Sequence, residues 1–288
     1  MLKYRLIFGT LMIAAFLGLL IFDAWLDGSL LADTENLPIQ ASILAGLLAG
    51  LAIPATFELS HLLANVGAKV FKPLTIILTA LMATNWYWAQ FYTDPAQFQL
   101  YYLLFTSAFA VLGVFLYQGK WFGTSDVLKN CSANLFCIFY LGLLSSFVLG
   151  IRIEFGVWAL LMFVFVVKSS DIGAYTAGKL FGKHKFAPRI SPGKTWEGLA
   201  GAIIFAAIVS FIFGYCCDIM APWSAVLFGI VFAVCGQLAD LAESMIKRDA
   251  QQKDSSAVVP GFGGVLDVID SPLGTAPLAY AFLMFASA

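Results

Sequence analysis

Residues Gly198–Cys216 read GLAGAIIFAAIVSFIFGYC, nineteen residues without one charge. A bilayer core takes about 20 apolar residues in a helix, so this stretch alone fills one membrane span. Eight further stretches of similar character flank it: Leu6–Trp25, Ile39–Phe57, Pro73–Tyr92, Phe98–Tyr117, Leu128–Gly150, Phe155–Val167, Trp223–Ala239 and Pro272–Ala286. The sixth of the nine, Phe155–Val167, is short for a span.

Composition agrees. Charged residues make up 11% of the 288-residue chain and hydrophobic residues 61%, whereas soluble domains carry about 25% charged residues. The expected fold class is an all-α polytopic integral membrane protein with about nine transmembrane helices. Met1–Arg5 and the apolar run behind it lack a small-residue cleavage site, and read as a retained first span. The five cysteines, Cys131, Cys137, Cys216, Cys217 and Cys235, lie in or beside apolar segments, have no metal-finger spacing and read as buried free thiols.

Direction follows from the basic residues. With the N-terminus cytoplasmic and the C-terminus external, only Arg152 of the 16 lysines and arginines falls outside. The net charge of −1 says little about partners; placement matters. Polar residues concentrate in two segments, 168–197 and 241–269, both on the inner side. The chain therefore divides into 1–167, six spans, and 168–288, a catalytic region of three spans and both polar segments.

The first polar segment reads KSSDIGAYTAGKLFGKHKFAPRISPGKTWEG from Lys168. Its lysines anchor the inner surface to anionic headgroups. Anchoring does not explain Ser191-Pro192-Gly193-Lys194-Thr195, where turn residues hold a lysine and a hydroxyl against a helix start. Ser191 is expected to cap the seventh span with Pro192 at its first position, a natural phosphate site. The Gly-Lys-Thr is no Walker loop, because Pro188 stands where that motif needs glycine and no strand precedes it.

In the second segment Asp240, Ser244 and Lys247 recur at helical spacing, with Glu243 close to that face. The chain then turns through Pro260-Gly261-Phe262-Gly263-Gly264 and presents Asp267 and Asp270 before Ser271-Pro272 opens the ninth span. Acids near membrane depth are costly and default to function. Clustered carboxylates beside lysines and a glycine turn suit Mg²⁺ held together with substrate phosphates. A purely structural pairing of Asp240 and Asp267 with Lys247 and Arg248 would not need the glycine turn. Glu58 and His61 read as an interfacial pair, and Asn85 and Gln90, among Trp86, Tyr87 and Trp88, as an aromatic belt at the outer interface.

Ser244–Ser271, SMIKRDAQQKDSSAVVPGFGGVLDVIDS, resembles the signature of phosphatidate cytidylyltransferases, or CDP-diacylglycerol synthases, and the block from Asp171 resembles that family's second motif. The close resemblance covers about Asp171–Ser271; the first five spans share only hydropathy. It implies that CTP and phosphatidate react to give CDP-diacylglycerol and pyrophosphate in phospholipid biosynthesis. It implies Mg²⁺, with a second metal or a monovalent cation as an option, on Asp240, Asp267 and Asp270. Lys194, Lys247, Arg248 and Lys253 would stabilise the triphosphate. Asp171, Ser191, Thr195, Ser244, Gly261, Gly263 and Gly264 would contact substrate. Membrane lipids and a second copy of the chain are the expected partners, and a bacterial inner membrane, with the site facing the cytoplasm, is the expected location.

Two positions depart from the pattern: Phe262 replaces a usual histidine and Val268 a usual arginine. A phosphate monoester has its second pKa near 6, so phosphatidate is already largely dianionic at neutral pH and needs no base to deprotonate it. Alternatives are a CTP-dependent lipid kinase, a cytidylyltransferase for another polar lipid, and, in a different class, an ion-coupled transporter. A transporter would place its acids at the midplane rather than at one face.

Overall fold

A computed structural model describes residues 2–30, 39–256 and 263–286. Among these, the regular secondary structure is helical, and an isolated antiparallel bridge pairs Lys185 with Thr195. In chain order the helices are α1 (Leu2–Leu26), α2 (Ser42–Asn65), α3 (Lys72–Ala83), α4 (Asn85–Ala89), α5 (Pro95–Trp121), α6 (Val127–Cys137), α7 (Leu144–Phe181), α8 (Trp196–Cys216), α9 (Pro222–Asp249) and α10 (Val265–Ala286). A π-helical turn, Ile138–Leu143, joins α6 to α7.

Each of the nine predicted spans falls on helix. Seven helical stretches among the described residues are long and apolar enough to cross a membrane, and the chain is an integral membrane protein. One of the seven, Val127–Phe181, is 55 residues long and holds the fifth and sixth predicted spans. They part at Gly156, whose φ of 83° and ψ of 175° break the helix in a region that glycine enters freely. The third predicted span is split at Thr84 into α3 and the short α4.

Small residues set the closest packing, as expected where van der Waals fit rather than water exclusion joins helices. A Cβ at Gly173 of α7 would lie 2.6 Å from the Gly201 carbonyl of α8, and one at Gly229 of α9 would lie 2.5 Å from the Ala207 Cα. These contacts press α7, α8 and α9 together around buried Phe163, Phe228 and Phe232. The flanks stay greasy: Leu104, Phe105, Phe109, Leu112 and Leu116 of α5 are all exposed.

At the end of the bundle carrying Gly156, Arg152 is fully buried. Its Nη2 donates to Asp27 Oδ2 at 2.9 Å and to Ser29 Oγ at 2.7 Å. A buried guanidinium needs such partners, and this one ties α7 to the chain leaving α1. Gln90 joins the same end by donating from Nε2 to the Gln40 carbonyl at 3.1 Å.

Helix ends differ from the sequence reading in two places. Thr195, not Ser191, caps α8, its hydroxyl accepting from Gly198 N–H at 3.0 Å. Ser191 lies in the preceding turn, where its carbonyl accepts from Lys194 N–H at 3.1 Å. Likewise α10 starts at Val265, so Ser271-Pro272 lies inside it rather than opening it. The start moves upstream because another helix supplies the cap.

Candidate active site

Both polar segments contain more helix than their composition suggests. Helix α7 carries Lys168 and Asp171 on to Phe181, and α9 runs to Asp249, leaving 182–195 and 250–264 as the connections. The first connection folds tightly on itself. Phe186 N–H donates to the Lys194 carbonyl at 3.2 Å and Trp196 N–H to the His184 carbonyl at 3.0 Å. Glu197, in the first turn of α8, accepts from the backbone of Lys183 and His184 and lies 2.6 Å from the His184 ring. With its loop so held, Lys194 turns inward onto α9. Its ammonium donates to the Gln237 carbonyl at 2.9 Å and lies 2.7 Å from Asp240 Oδ2.

The second connection is anchored from far away in sequence. Glu58 of α2, only 6% exposed, accepts from Val265 N–H at 2.9 Å and Leu266 N–H at 2.8 Å. It also accepts from the hydroxyls of Ser255 at 3.0 Å and Ser256 at 2.7 Å. This carboxylate is the N-terminal cap of α10, satisfying amides that no residue of α10 can reach and favoured there by the helix dipole. The reading of Glu58 as an interfacial partner of His61 gives way to this role. Gly264 must be glycine, since a Cβ there would fall 2.4 Å from Glu58 Oε2.

Asp267, in the first turn of α10, is saturated. It accepts from Gly264 N–H at 2.7 Å, from Ser255 N–H at 2.9 Å and from Lys247 Nζ at 2.6 Å. Lys247 also ion-pairs with Glu243. Neither Glu243 oxygen accepts a hydrogen bond of good geometry, though the side chain is fully buried. A second set of acids follows. Oxygens of Asp240, Glu243 and Asp270 lie within 4.8 Å of one another. Three carboxylates this close, one of them with the buried Glu243 Oε1 accepting no hydrogen bond among the described residues, are a donor set that fits a hard divalent cation.

A cavity of about 380 Å³ opens onto Asp240 and Asp270, lined also by Asp171, Lys194 and Asp267, while Glu243 lies fully buried behind it. Gln237 crosses it, donating from Nε2 to Asp171 Oδ1 at 3.2 Å. Ser191 and Thr195 line the same cavity. Ser244 is buried one turn along α9, its hydroxyl 3.4 Å from Asp240 Oδ1. Of the remaining site candidates, Arg248 clamps the two connections, donating to the carbonyls of Ile190 at 3.2 Å and Gln252 at 2.9 Å. Lys253 is exposed. Gly263 takes a positive φ of 99°. Gly261 and Phe262 lie outside the described residues. Val268 brings no guanidinium to α10; the cation beside it comes from α7, where Lys168 Nζ donates to the Val268 carbonyl at 2.8 Å.

The fold and the site together define a membrane-embedded bundle with a carboxylate-and-lysine cavity at one end. The chain belongs to the Cytidylyltransferase family, whose model matches residues 3–286. A phosphatidate cytidylyltransferase of Mycobacterium leprae is 36% identical over 160 residues, covering 55% of this chain and 51% of that protein. One from Haemophilus influenzae is 42% identical over 132 residues, 44% and 46% of the two chains. One from Bacillus subtilis is 40% identical over 147 residues, 50% and 55%. The similarity thus spans about half the length of these relatives.

Proposed function

We propose that the protein is a phosphatidate cytidylyltransferase of phospholipid biosynthesis, joining CTP and phosphatidate into CDP-diacylglycerol with release of pyrophosphate. The observation that carries this reading is the meeting of Asp240, Glu243 and Asp270 within 4.8 Å, with Asp240 and Asp270 reaching the cavity of a membrane bundle that Lys194 also lines. A phosphatidate oxygen attacks the α-phosphorus of CTP, and the bond from that phosphorus to the bridging oxygen breaks, its electron pair leaving with pyrophosphate. Such transfers rest on positioning and charge neutralisation. Asp240, Glu243 and Asp270 would hold Mg²⁺, which when bound offsets phosphate charge. Lys194 stands over the same acids and faces the triphosphate. Lys247 holds Glu243 and Asp267 in register from α9. The second conjectured cation, a homodimer, and an inner-membrane location with the cavity facing the cytoplasm belong to the same proposal.

Purified protein given labelled CTP and phosphatidate in mixed micelles should yield lipid-soluble label and pyrophosphate in equal amounts, only with Mg²⁺ present. Formation of CDP as the water-soluble product would point to a CTP-dependent kinase and overturn the reading.

A further inference from the structure

The cavity has a second lysine whose position the charge count alone left as an anchor. Lys168 lies on α7 directly after the apolar run Phe155–Val167, whose last residues Val166 and Val167 are buried. A part-buried cation at the end of a membrane helix is costly and calls for a role. Part of that role is structural. Pro272, four residues after Val268, has no N–H, so the Val268 carbonyl lacks its helical partner. The Lys168 ammonium takes that place, donating at 2.8 Å. This bond aims the ammonium and leaves two of its three donors.

Among the described residues those donors have no short anionic partner. Asp171 Oδ2 lies 3.7 Å away, beyond good hydrogen-bond length, and the Lys168 side chain is 34% exposed. Lys194, by contrast, has its carboxylate at 2.7 Å and is 12% exposed. Both line the cavity.

The surroundings decide what the ammonium is for. Lys168, Ile172 and Tyr175 share one face of α7 by their spacing. Ile172 is 57% and Tyr175 61% exposed, and Tyr175 also lines the cavity. The cavity therefore opens along α7 onto an apolar surface with a cation at its inner edge. A phosphomonoester attached to acyl chains matches both features; a free nucleotide matches only the cation.

We propose that Lys168 binds the phosphate of the lipid substrate, leaving Lys194 to the nucleotide. This rests on the cytidylyltransferase reading. The test uses full-length protein in mixed micelles with Lys168→Gln, which keeps a donor for the Val268 carbonyl, and Lys168→Arg, which keeps the charge. Lys168→Gln should raise the KM for phosphatidate about tenfold or more, the weight of one charge-assisted hydrogen bond, with the KM for CTP within about twofold. Lys168→Arg should recover most of the loss. A second arm needs no turnover: capture of labelled phosphatidate over phosphatidylcholine without CTP should be strong in the native protein and lost in Lys168→Gln. Inactive native protein that shows this capture would remove the proposed reaction and keep the lipid site. An unchanged phosphatidate KM and capture in Lys168→Gln, a rise in the CTP KM instead, or equal displacement of the lipid by inorganic phosphate would each overturn the assignment.

Discussion

Lys194 Nζ lies 2.7 Å from Asp240 Oδ2, so the loop ahead of α8 is fastened to α9 by the same pair that faces the cavity. The pair brings a cation from one polar segment to an acid of the other. Its removal should damage catalysis rather than insertion.

For the lysines, Lys194→Ala should lower kcat by about 10²–10³-fold, as for other preorganised transition-state donors, and Lys247→Ala should lower it at least as much by leaving buried Glu243 and Asp267 without their cation. Lys183→Ala should cost less than about tenfold, because its neighbours maintain the anchoring field. Steady-state kinetics on the purified variants decides this. Equal losses at all three positions would mean that the basic field acts collectively.

For the acids, Asp240→Asn, Glu243→Gln and Asp270→Asn should abolish turnover to within about 1% of native, or shift the Mg²⁺ concentration for half-activity upward by about tenfold or more. Asp267→Asn should also be inactive or nearly so, since it unfastens Lys247, Ser255 and Gly264. Any residual activity there should show an unmoved Mg²⁺ midpoint. A Mg²⁺ titration of each variant separates the two roles, and an Asp267→Asn shift as large as that of Asp240→Asn would place Asp267 on the metal.

For the distant cap, Glu58→Ala leaves the amides of Val265 and Leu266 without their acceptor. Each buried donor so orphaned costs about 1–3 kcal/mol. The first amides of α10 should exchange with solvent faster, and activity should fall at least about tenfold, while α8 and α9 stay protected. Native exchange protection at Val265 and Leu266 in Glu58→Ala would show that the cap is dispensable.

For packing, Gly201→Val should prevent the close approach of α7 and α8, because a Cβ there already meets Ala177 Cβ at 2.3 Å. Thermal unfolding in detergent should show a markedly lower midpoint. Gly193→Ala, where a Cβ meets nothing within 4 Å, should leave the midpoint unchanged.

For orientation, cysteines placed by Lys183→Cys and Gln252→Cys should resist an impermeant thiol reagent in intact cells. The native Cys216, exposed at the far end of α8 and not buried as its apolar flanks suggested, should react and serves as the internal control. Labelling of either introduced cysteine from outside reverses the topology.

Much of this was legible in the sequence because membrane helices announce themselves by length and hydropathy. The uncharged run at Gly198–Cys216 became α8 almost residue for residue. Asp240, Asp270 and Lys194 were legible because charges in such a chain are few. Glu58 was not, since its partners lie about 200 residues away and two of them are backbone amides, which carry no sequence signal. Lys168 was counted as a surface charge because nothing local reveals that Pro272 frees a carbonyl for it on another helix. Ser191 was taken for a cap because Ser-Pro is a common helix opening, yet the Lys185–Thr195 bridge delays the helix to Trp196.

Glu58 and Val265 are 207 residues apart, and chains are made at about 5–20 residues per second, so roughly ten to forty seconds of synthesis separate the two. Through that interval α2 has its acid but not the amides of α10. A ribosome that stops before Val265 has already delivered every lysine and arginine of these 288 residues, yet without α10 Glu58 has no amides of Val265 and Leu266 to cap, and Asp267 and Asp270 have not been made. Assembly of the site is thus tied to synthesis of α10, and a product truncated before it should carry no assembled site.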